Sequence, residues 1–386
     1  MRFAATIALA RAALVVTGVL AAVAAAAPGA DPGLGETTIL LGATASLADS
    51  ESAAIARGAS AYFRYVNARG GVNGRTITYK VVDDGGDPAQ AVQATLRLVD
   101  GDGAFAIVGA AGREQNLATR PYLNAAKVPQ LFVDSRATTF GADYRRYPWT
   151  VGFRPSARAE GAVYGRYISR TRAGARIAVL HEDGADGLEL LAGLKQGLAG
   201  SKARVAVVEP VGEGDLDTQI ADLKASGATV LALFAAPATS TEAYAAASRL
   251  GWHPLVVASP PAKVEGAVSI AFLKDPADPA LDDDPAIRLY RTIMSRYAKG
   301  ANAKDVDHLH GMAMAYETVK VLRATGETPT RAAILVRMRQ LRDASNPFLL
   351  PGIVVRTSAT DRFPIEQAVL QRWSKGSWRS FGGLWG

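Results

Sequence analysis

The residue types that could do chemistry gather where short apolar runs end. The run Ala106–Val108 gives way to Gly-Ala-Ala-Gly (109–112), and Arg113 and Glu114 follow where a helical stretch opens. A glycine-rich turn at the head of a helix offers free backbone N–H groups to an anion. A guanidinium beside it adds a forked donor suited to a carboxylate or phosphate. A second charged set, Asp134-Ser135-Arg136, follows the run 129–133. Such groups recognise and hold; they do not by themselves make or break bonds.

The remaining candidates reduce to structure. The stretch "ARGGVNGR" (68–75) looks like a phosphate cradle, but it follows a helical stretch and precedes a strand. That is the reverse of the dinucleotide-binding order. Gly70 and Gly71 read as a helix C-cap, and Asn73-Gly74 as a tight turn. Asp83, Asp84 and Asp87 lack the spacing of a calcium loop, and Asp87 is needed as the N-cap before Pro88. Of four histidines, only His308 and His310 lie among carboxylates, in "DVDHLHG" (305–311). Their spacing points them apart, so no shared metal is expected, and a helix start with Asp307 near its N-cap accounts for the motif. His181 ends a strand and faces a plausible cleft. With no cysteine and no G-x-S-x-G elbow, the ingredients for nucleophilic catalysis are thin. Neither catalytic residues nor a metal or cofactor is expected.

These groups must be positioned by something, and the chain supplies it as alternating strands and helices. Strands are expected at 37–43, 76–84, 104–109 and 129–133, with helices at 52–67, from Asp87-Pro88 onward, and at 116–126. The alternation repeats with helix 156–171, strand 175–181, helix 188–200, strand 203–210, helix 217–226, strand 228–234, helix 240–250 and strand 254–259. This pattern specifies parallel sheets covered by helices on both faces, in two doubly wound lobes. Helices at 285–298, 308–324 and 329–342 then precede strands near 352–356 and 366–373. They cannot form a third α/β unit, so they are expected to pack back onto the lobes already built.

Composition agrees with a soluble chain of about two domains: 386 residues, 49% hydrophobic and 20% charged. Its 43 basic and 36 acidic residues give +7, or +5 without Arg2 and Arg11. The basic residues are scattered rather than striped, so no nucleic-acid partner is expected. Residues 1–30 read as a secretory signal peptide, with an apolar run at 12–27 and an A-x-A site at Ala24 and Ala26. An N-terminal membrane anchor is the rival reading. The absence of cysteine leaves no disulfide, no thiolate metal site and no site for a lipid anchor.

In open α/β sheets, ligands bind outside the carboxyl ends of the strands. Those ends here are 42–50, 109–116, 133–139, 181–187, 234–241 and 258–265, rich in Gly, Ala, Ser and Thr. Small residues let a ligand approach the backbone. The set describes a binding cleft.

The segments "AYFRYVNARGGVNGRTITYKVVDDGGDPAQAV" (61–92), "NLATRPYLNAAKVPQLFVDSRATTFG" (116–141) and "EGDLDTQIADLKASGATVLALFAAP" (213–237) carry a family likeness. With "LHEDGADGLELLAGLKQGL" (180–198) and "AAASRLGWHPLVVAS" (245–259), the chain resembles, in order and over nearly its whole length, the leucine/isoleucine/valine type of periplasmic solute-binding protein of ABC transporters. The resemblance implies an α/β fold of two Rossmann-like lobes with central parallel sheets, joined by three hinge crossovers. Lobe 1 would be 34–154 plus 276–357 and lobe 2 would be 155–275 plus 358–386. It implies a monomer in the periplasm that closes on a small-molecule ligand and delivers it to a membrane permease. A periplasmic sensor of the same fold, presenting its ligand to a membrane receptor or sensor kinase, is the alternative.

By the same resemblance the ligand-binding set is Ser46, Arg113, Glu114, Asp134, Ser135, Arg136, Asp183, Ala236 and Pro260. The family keeps small hydroxyl residues after the third strand and an Ala/Ser-Thr pair after the fourth, which hold the ligand's α-carboxylate. The matching positions here carry Arg113–Glu114 and Asp134–Ser135–Arg136. Two readings stand open. Arg113 or Arg136 grips a ligand carboxylate bidentately, or Arg113–Glu114 and Asp134–Arg136 pair within the protein and line or close the cleft around an apolar or neutral ligand. An amino-acid-like, carboxylate-bearing or aromatic metabolite is the expected cargo.

Overall fold

The computed structural model of the chain describes residues 31–212 and 214–386. The expected signal peptide, 1–30, lies outside the described residues. Among the described residues, no helix is long and apolar enough to cross a membrane.

The first half builds β1 (Thr38–Ala45), α1 (Ser50–Asn67), β2 (Thr76–Asp83), α2 (Pro88–Leu96), β3 (Ala106–Val108), α3 (Arg113–Ala125), β4 (Gln130–Val133), α4 (Thr139–Ala142) and β5 (Thr150–Gly152). The strands lie in the order β2-β1-β3-β4-β5, all parallel. β3, β4 and β5 are buried throughout, as strands covered on both faces must be. Asp87 caps α2 by accepting from the Gln90 amide, and Pro88 occupies the first turn.

The second half follows with α5 (Ala157–Thr171), β6 (Arg176–His181), α6 (Ala185–Leu198), β7 (Arg204–Pro210), α7 (Leu216–Ala225), β8 (Val230–Phe234), α8 (Pro237–Arg249), β9 (Leu255–Ala258) and β10 (Val268–Ala271). The chain then forms α9 (Pro285–Tyr297), α10 (Val306–Ala324), α11 (Arg331–Met338) and the short pair β11 (Arg342–Asp343) and β12 (Val355–Arg356). It ends in the hairpin of β13 (Ala368–Ser374) and β14 (Ser377–Trp385). The second sheet runs β14-β13-β10-β9-β8-β6-β7. Its parallel part repeats the strand order of the first sheet, so each half is a doubly wound unit with a switch point beside its first strand.

The late helices share one core with the first sheet: Tyr290, Met294, Leu309, Met312 and Met338 are buried with Ile39, Leu41, Phe132 and Val151. The hairpin instead joins the second sheet, where Ala368 and Leu370 lie with Val179, Val257 and Val268. The chain therefore passes between lobes three times, at 153–156, 272–284 and 357–367.

One packing feature bears on the cleft. α5 and α6 cross with their backbones in contact. A Cβ on Gly161 or Gly165 would strike the Leu190 or Leu194 carbonyl oxygen, and one on Gly193 or Gly197 that of Arg158 or Ala162. Two Gly-x-x-x-Gly faces thus interlock, and α6 is seated closely on α5.

Three differences from the sequence reading have physical causes. α3 begins at Arg113 rather than 116, because its N-cap is Gly112 (φ 90°), which has no side chain to announce a start. α10 begins at Val306 rather than 308, capped by Asp305, whose carboxylate accepts from the amide of Asp307, which stands near the N-cap as expected. β5, β10 and β14 were not expected, nor were α4 and the two-residue β11. The first two are short; the third follows a two-residue turn at Lys375 and Gly376, both with positive φ (52° and 79°), as a tight hairpin requires.

Candidate functional site

The loops at the carboxyl ends of both sheets face one another, and the facing surfaces are joined by charge. Gly109 (φ 67°) and Gly112 turn the chain after β3, and Asp134 is stitched alongside by backbone bonds from its amide to the Ala110 carbonyl and from the Gly112 amide to its own. This places Arg113 at the first turn of α3, pointing across to α6. Its Nη1 donates to Asp186 Oδ1 at 2.5 Å and its Nη2 to Glu189 Oε1 at 2.9 Å. Partial burial works against the charge of Arg113, but Glu189 and Asp186 outweigh it and raise its pKa. Glu114 stays exposed and reaches Arg113 only at 3.5 Å.

Arg136 crosses in the same direction. Its Nη1 donates to Ser259 Oγ at 2.7 Å and approaches Glu160 Oε2 at 3.4 Å, while Nη2 lies 3.7 Å from Asp186 Oδ2. Glu160 is fixed on α5, where its other oxygen accepts from Tyr164 Oη at 2.7 Å. Asp134 is not the partner of Arg136, and that expected pair is corrected. Asp134 turns inward, 3.5 Å from Arg154 and 3.9 Å from His310 Nδ1. Nor is Glu114 the main partner of Arg113, since consecutive residues on a helix do not face each other.

Thr138, three residues beyond Ser135, completes the contact. Its amide donates to Glu189 Oε2 at 2.9 Å and its hydroxyl to the same oxygen at 2.5 Å. Ser135 is buried and uses its hydroxyl to accept from the Ala137 amide, shaping the turn that presents Thr138. Of the second-lobe candidates, Ala236 heads α8 and donates its amide to Glu182 Oε1 at 2.8 Å, and Pro260 follows the Ser259 that meets Arg136. Asp183 is exposed and Ser46 half-buried; the structure brings neither into this network.

Sequence reasoning missed Thr138, Glu160, Asp186, Glu189 and Ser259. Asp186 and Glu189, three apart on the first turns of α6, had a signal. It is the common one of acids near a helix N-terminus, which the macrodipole favours anyway.

Beneath the bridges lies a half-buried charged floor at the first crossover. Arg154 joins Glu51 at 2.8 Å to Asp134, and its pKa is raised because Asp134 and Glu51 outweigh burial. His310 is buried, stacked on Phe153 with ring centres 5.6 Å apart and edge-on to Phe272 at 5.8 Å. Burial, with Arg154 adding to it, pushes its pKa well below the ordinary value, so the ring is neutral. Among the described residues, no cluster of His, Asp and Glu could hold a metal ion.

Asp307 faces this floor, and burial, then Glu51 and Asp305, push its pKa up to about 7. The folded protein therefore binds this proton more tightly than the unfolded chain does. The associated stability is fully present below the ordinary carboxyl range near pH 4 and is lost as pH rises through about 7. Asp307→Asn is expected to be increasingly stabilised relative to wild type as pH rises from about 5 to about 8. Urea midpoints of both proteins at the two pH values check this; a constant difference between them counts against it.

A family model for periplasmic binding proteins matches residues 39–377, and the chain belongs to that family, which is one of binding proteins rather than enzymes. It is 30% identical over 200 residues to a Leu/Ile/Val-binding protein homolog 2 of Brucella abortus, across 50% of this chain and 53% of that protein. The chain spans about half the length of the curated relatives it matches. Its fold is similar to that of a branched chain amino acid ABC transporter protein from Thermus thermophilus with bound valine. There the TM-score is 0.76 at 16% identity, covering 91% of this chain and 97% of that one. It is also similar to an ABC transporter solute binding protein from Rhodopseudomonas palustris BisB5 in complex with 3,4-dihydroxy benzoic acid. That match has a TM-score of 0.70 at 15% identity, over 89% and 96% of the two chains.

Proposed function

We propose that this protein is the periplasmic substrate-binding component of an ABC importer and that its interlobe cleft captures a small carboxylate-bearing ligand, amino-acid-like or aromatic. The observation that carries this reading is the donor set of the first lobe. The Thr138 amide, the Thr138 hydroxyl and the Arg113 guanidinium converge on the two oxygens of one carboxylate. Charge-assisted donors of three kinds at one point discriminate a carboxylate from an alcohol or amide. Valine and dihydroxybenzoic acid, bound by the two proteins of similar fold, share only that group. Capture takes place by hinge closure at the three crossovers, with 34–154 plus 276–357 moving against 155–275 plus 358–386. The ligand then passes to a membrane permease.

Thermal shifts of the purified full chain test the ligand class, with branched and aromatic amino acids, hydroxybenzoates, short-chain acids and the corresponding alcohols as the panel. A ligand at about 100 times its Kd adds about 2.7 kcal/mol to stability. Acids should stabilise and their alcohols should not, and Arg113→Ala should weaken the best acid by about 10- to 100-fold, as loss of a charged hydrogen bond does. Equal stabilisation by acids and alcohols overturns the reading.

A further inference from the structure

We propose that Glu189 is an internal carboxylate latch: this chain's own side chain sits in the donor set that a ligand carboxylate would need, holds the lobes together through it, and must leave before such a ligand binds. The inference rests on the reading of the cleft as a carboxylate site.

Glu189 stands on α6 in the second lobe, and all three of its donors belong to the first. Its two oxygens take an amide, a hydroxyl and a guanidinium, so both Thr138 donors and one arm of Arg113 are spent on it. Fixing Arg113 does not require it. Asp186 already pairs with the same guanidinium at 2.5 Å, so Glu189 is a second anion on a cation that has one.

The local charge count points the same way. Across the cleft, two guanidinium groups, Arg113 and Arg136, face three carboxylates, Asp186, Glu189 and Glu160. A ligand carboxylate arriving with Glu189 in place would raise the excess negative charge in a partly buried site. One that arrives as Glu189 swings out leaves the count unchanged. Glu189 is placed for that exchange, near the edge of the cleft, with its side chain 17% exposed and the neighbouring Leu188 52% exposed.

A tethered competitor acts at an effective concentration in the millimolar range and weakens the apparent affinity of every carboxylate that uses its site. An interaction made only in the unliganded form raises affinity when it is deleted.

The natural chain has no cysteine, which makes paired labels simple. Leu47, 45% exposed on the loop after β1, and Leu188 lie on opposite lobes. Spin labels on Leu47→Cys and Leu188→Cys report lobe separation by pulsed electron resonance, without added ligand. Glu189→Ala is expected to shift the distance distribution to longer values, and Glu189→Gln, which keeps the shape and loses the charge, to do so in part. An unchanged distribution in both overturns the latch whatever the cargo proves to be. Calorimetry with valine and 3,4-dihydroxybenzoate then tests competition: an acid that binds wild type should bind Glu189→Ala about tenfold more tightly or better. Equal or weaker binding overturns the competitive role. Lengthened distances with no binding of any panel acid would support the latch and count against the carboxylate reading of the cargo. Should Glu189→Ala not fold, as judged by circular dichroism, Glu189→Gln decides both measurements.

Discussion

Arg154→Met is expected to lower stability by about 3 kcal/mol, the low end of the range for breaking a buried ion pair from one side. Asp134 is the reason. Its side chain is 5% exposed, and among the described residues Oδ1 has no hydrogen-bond partner, with the guanidinium at 3.5 Å and His310 Nδ1 at 3.9 Å. Burial already raises its pKa, and Arg154 is the main force opposing the rise. Without the arginine the buried carboxylate loses its main counter-charge and keeps only the weaker pull of Arg136. Chemical denaturation of Arg154→Met, Asp134→Asn and the double variant gives the test. The double variant should recover a large share of the loss, because the stranded charge goes with its partner. The deficit of the single variant should also shrink on acidification. A carboxyl whose folded pKa lies above its unfolded value gains stability as pH falls. A double variant no better than Arg154→Met would place the effect in lost packing of the arginine stem instead.

Gly193→Leu is expected to destabilise by about 3 kcal/mol, at the upper end of overpacking effects, because what stands in the way is backbone and cannot rotate aside. Its Cβ would meet the Arg158 carbonyl oxygen and the Ala162 amide of α5. Gly200→Ala is the comparison, since no atom lies near a Cβ there; its smaller loss reflects only its positive φ of 76°. The helices must part, and the functional consequence follows from what they carry: Glu160 on α5, Asp186 and Glu189 on α6. Thermal unfolding should show the loss of stability. The interlobe distance between labels at positions 47 and 188 should broaden in whatever fraction folds. A Gly193→Leu protein as stable as wild type would mean that the two helices are not held at this spacing.

The doubly wound fold was legible in the sequence because its determinants are local. Strand runs such as "ATVLALF" and caps such as Asp87-Pro88 act over a few residues, and these elements form near where they were expected. Elements without a local mark escaped. α3 starts on a glycine that bears no capping group, and β5 is three residues long. That α9, α10 and α11 pack back onto a lobe already built was legible for a different reason, while their place on the first sheet was implied only by the family resemblance. Three helices without intervening strands have no sheet of their own to cover.

The charged residues divide differently. Sequence by itself determined which groups are present at the strand ends, Arg113, Asp134 and Arg136 among them. Whom they pair with was decided only by tertiary structure. Arg113 meets carboxylates 73 and 76 positions away, and Arg136 a hydroxyl 123 away, because two lobes bring their loops face to face. Nearness in sequence misled, since residues one or two apart in a turn or helix point in different directions. An ion pair acts over a few ångströms, and a chain of this length fixes such distances only once both sheets have formed.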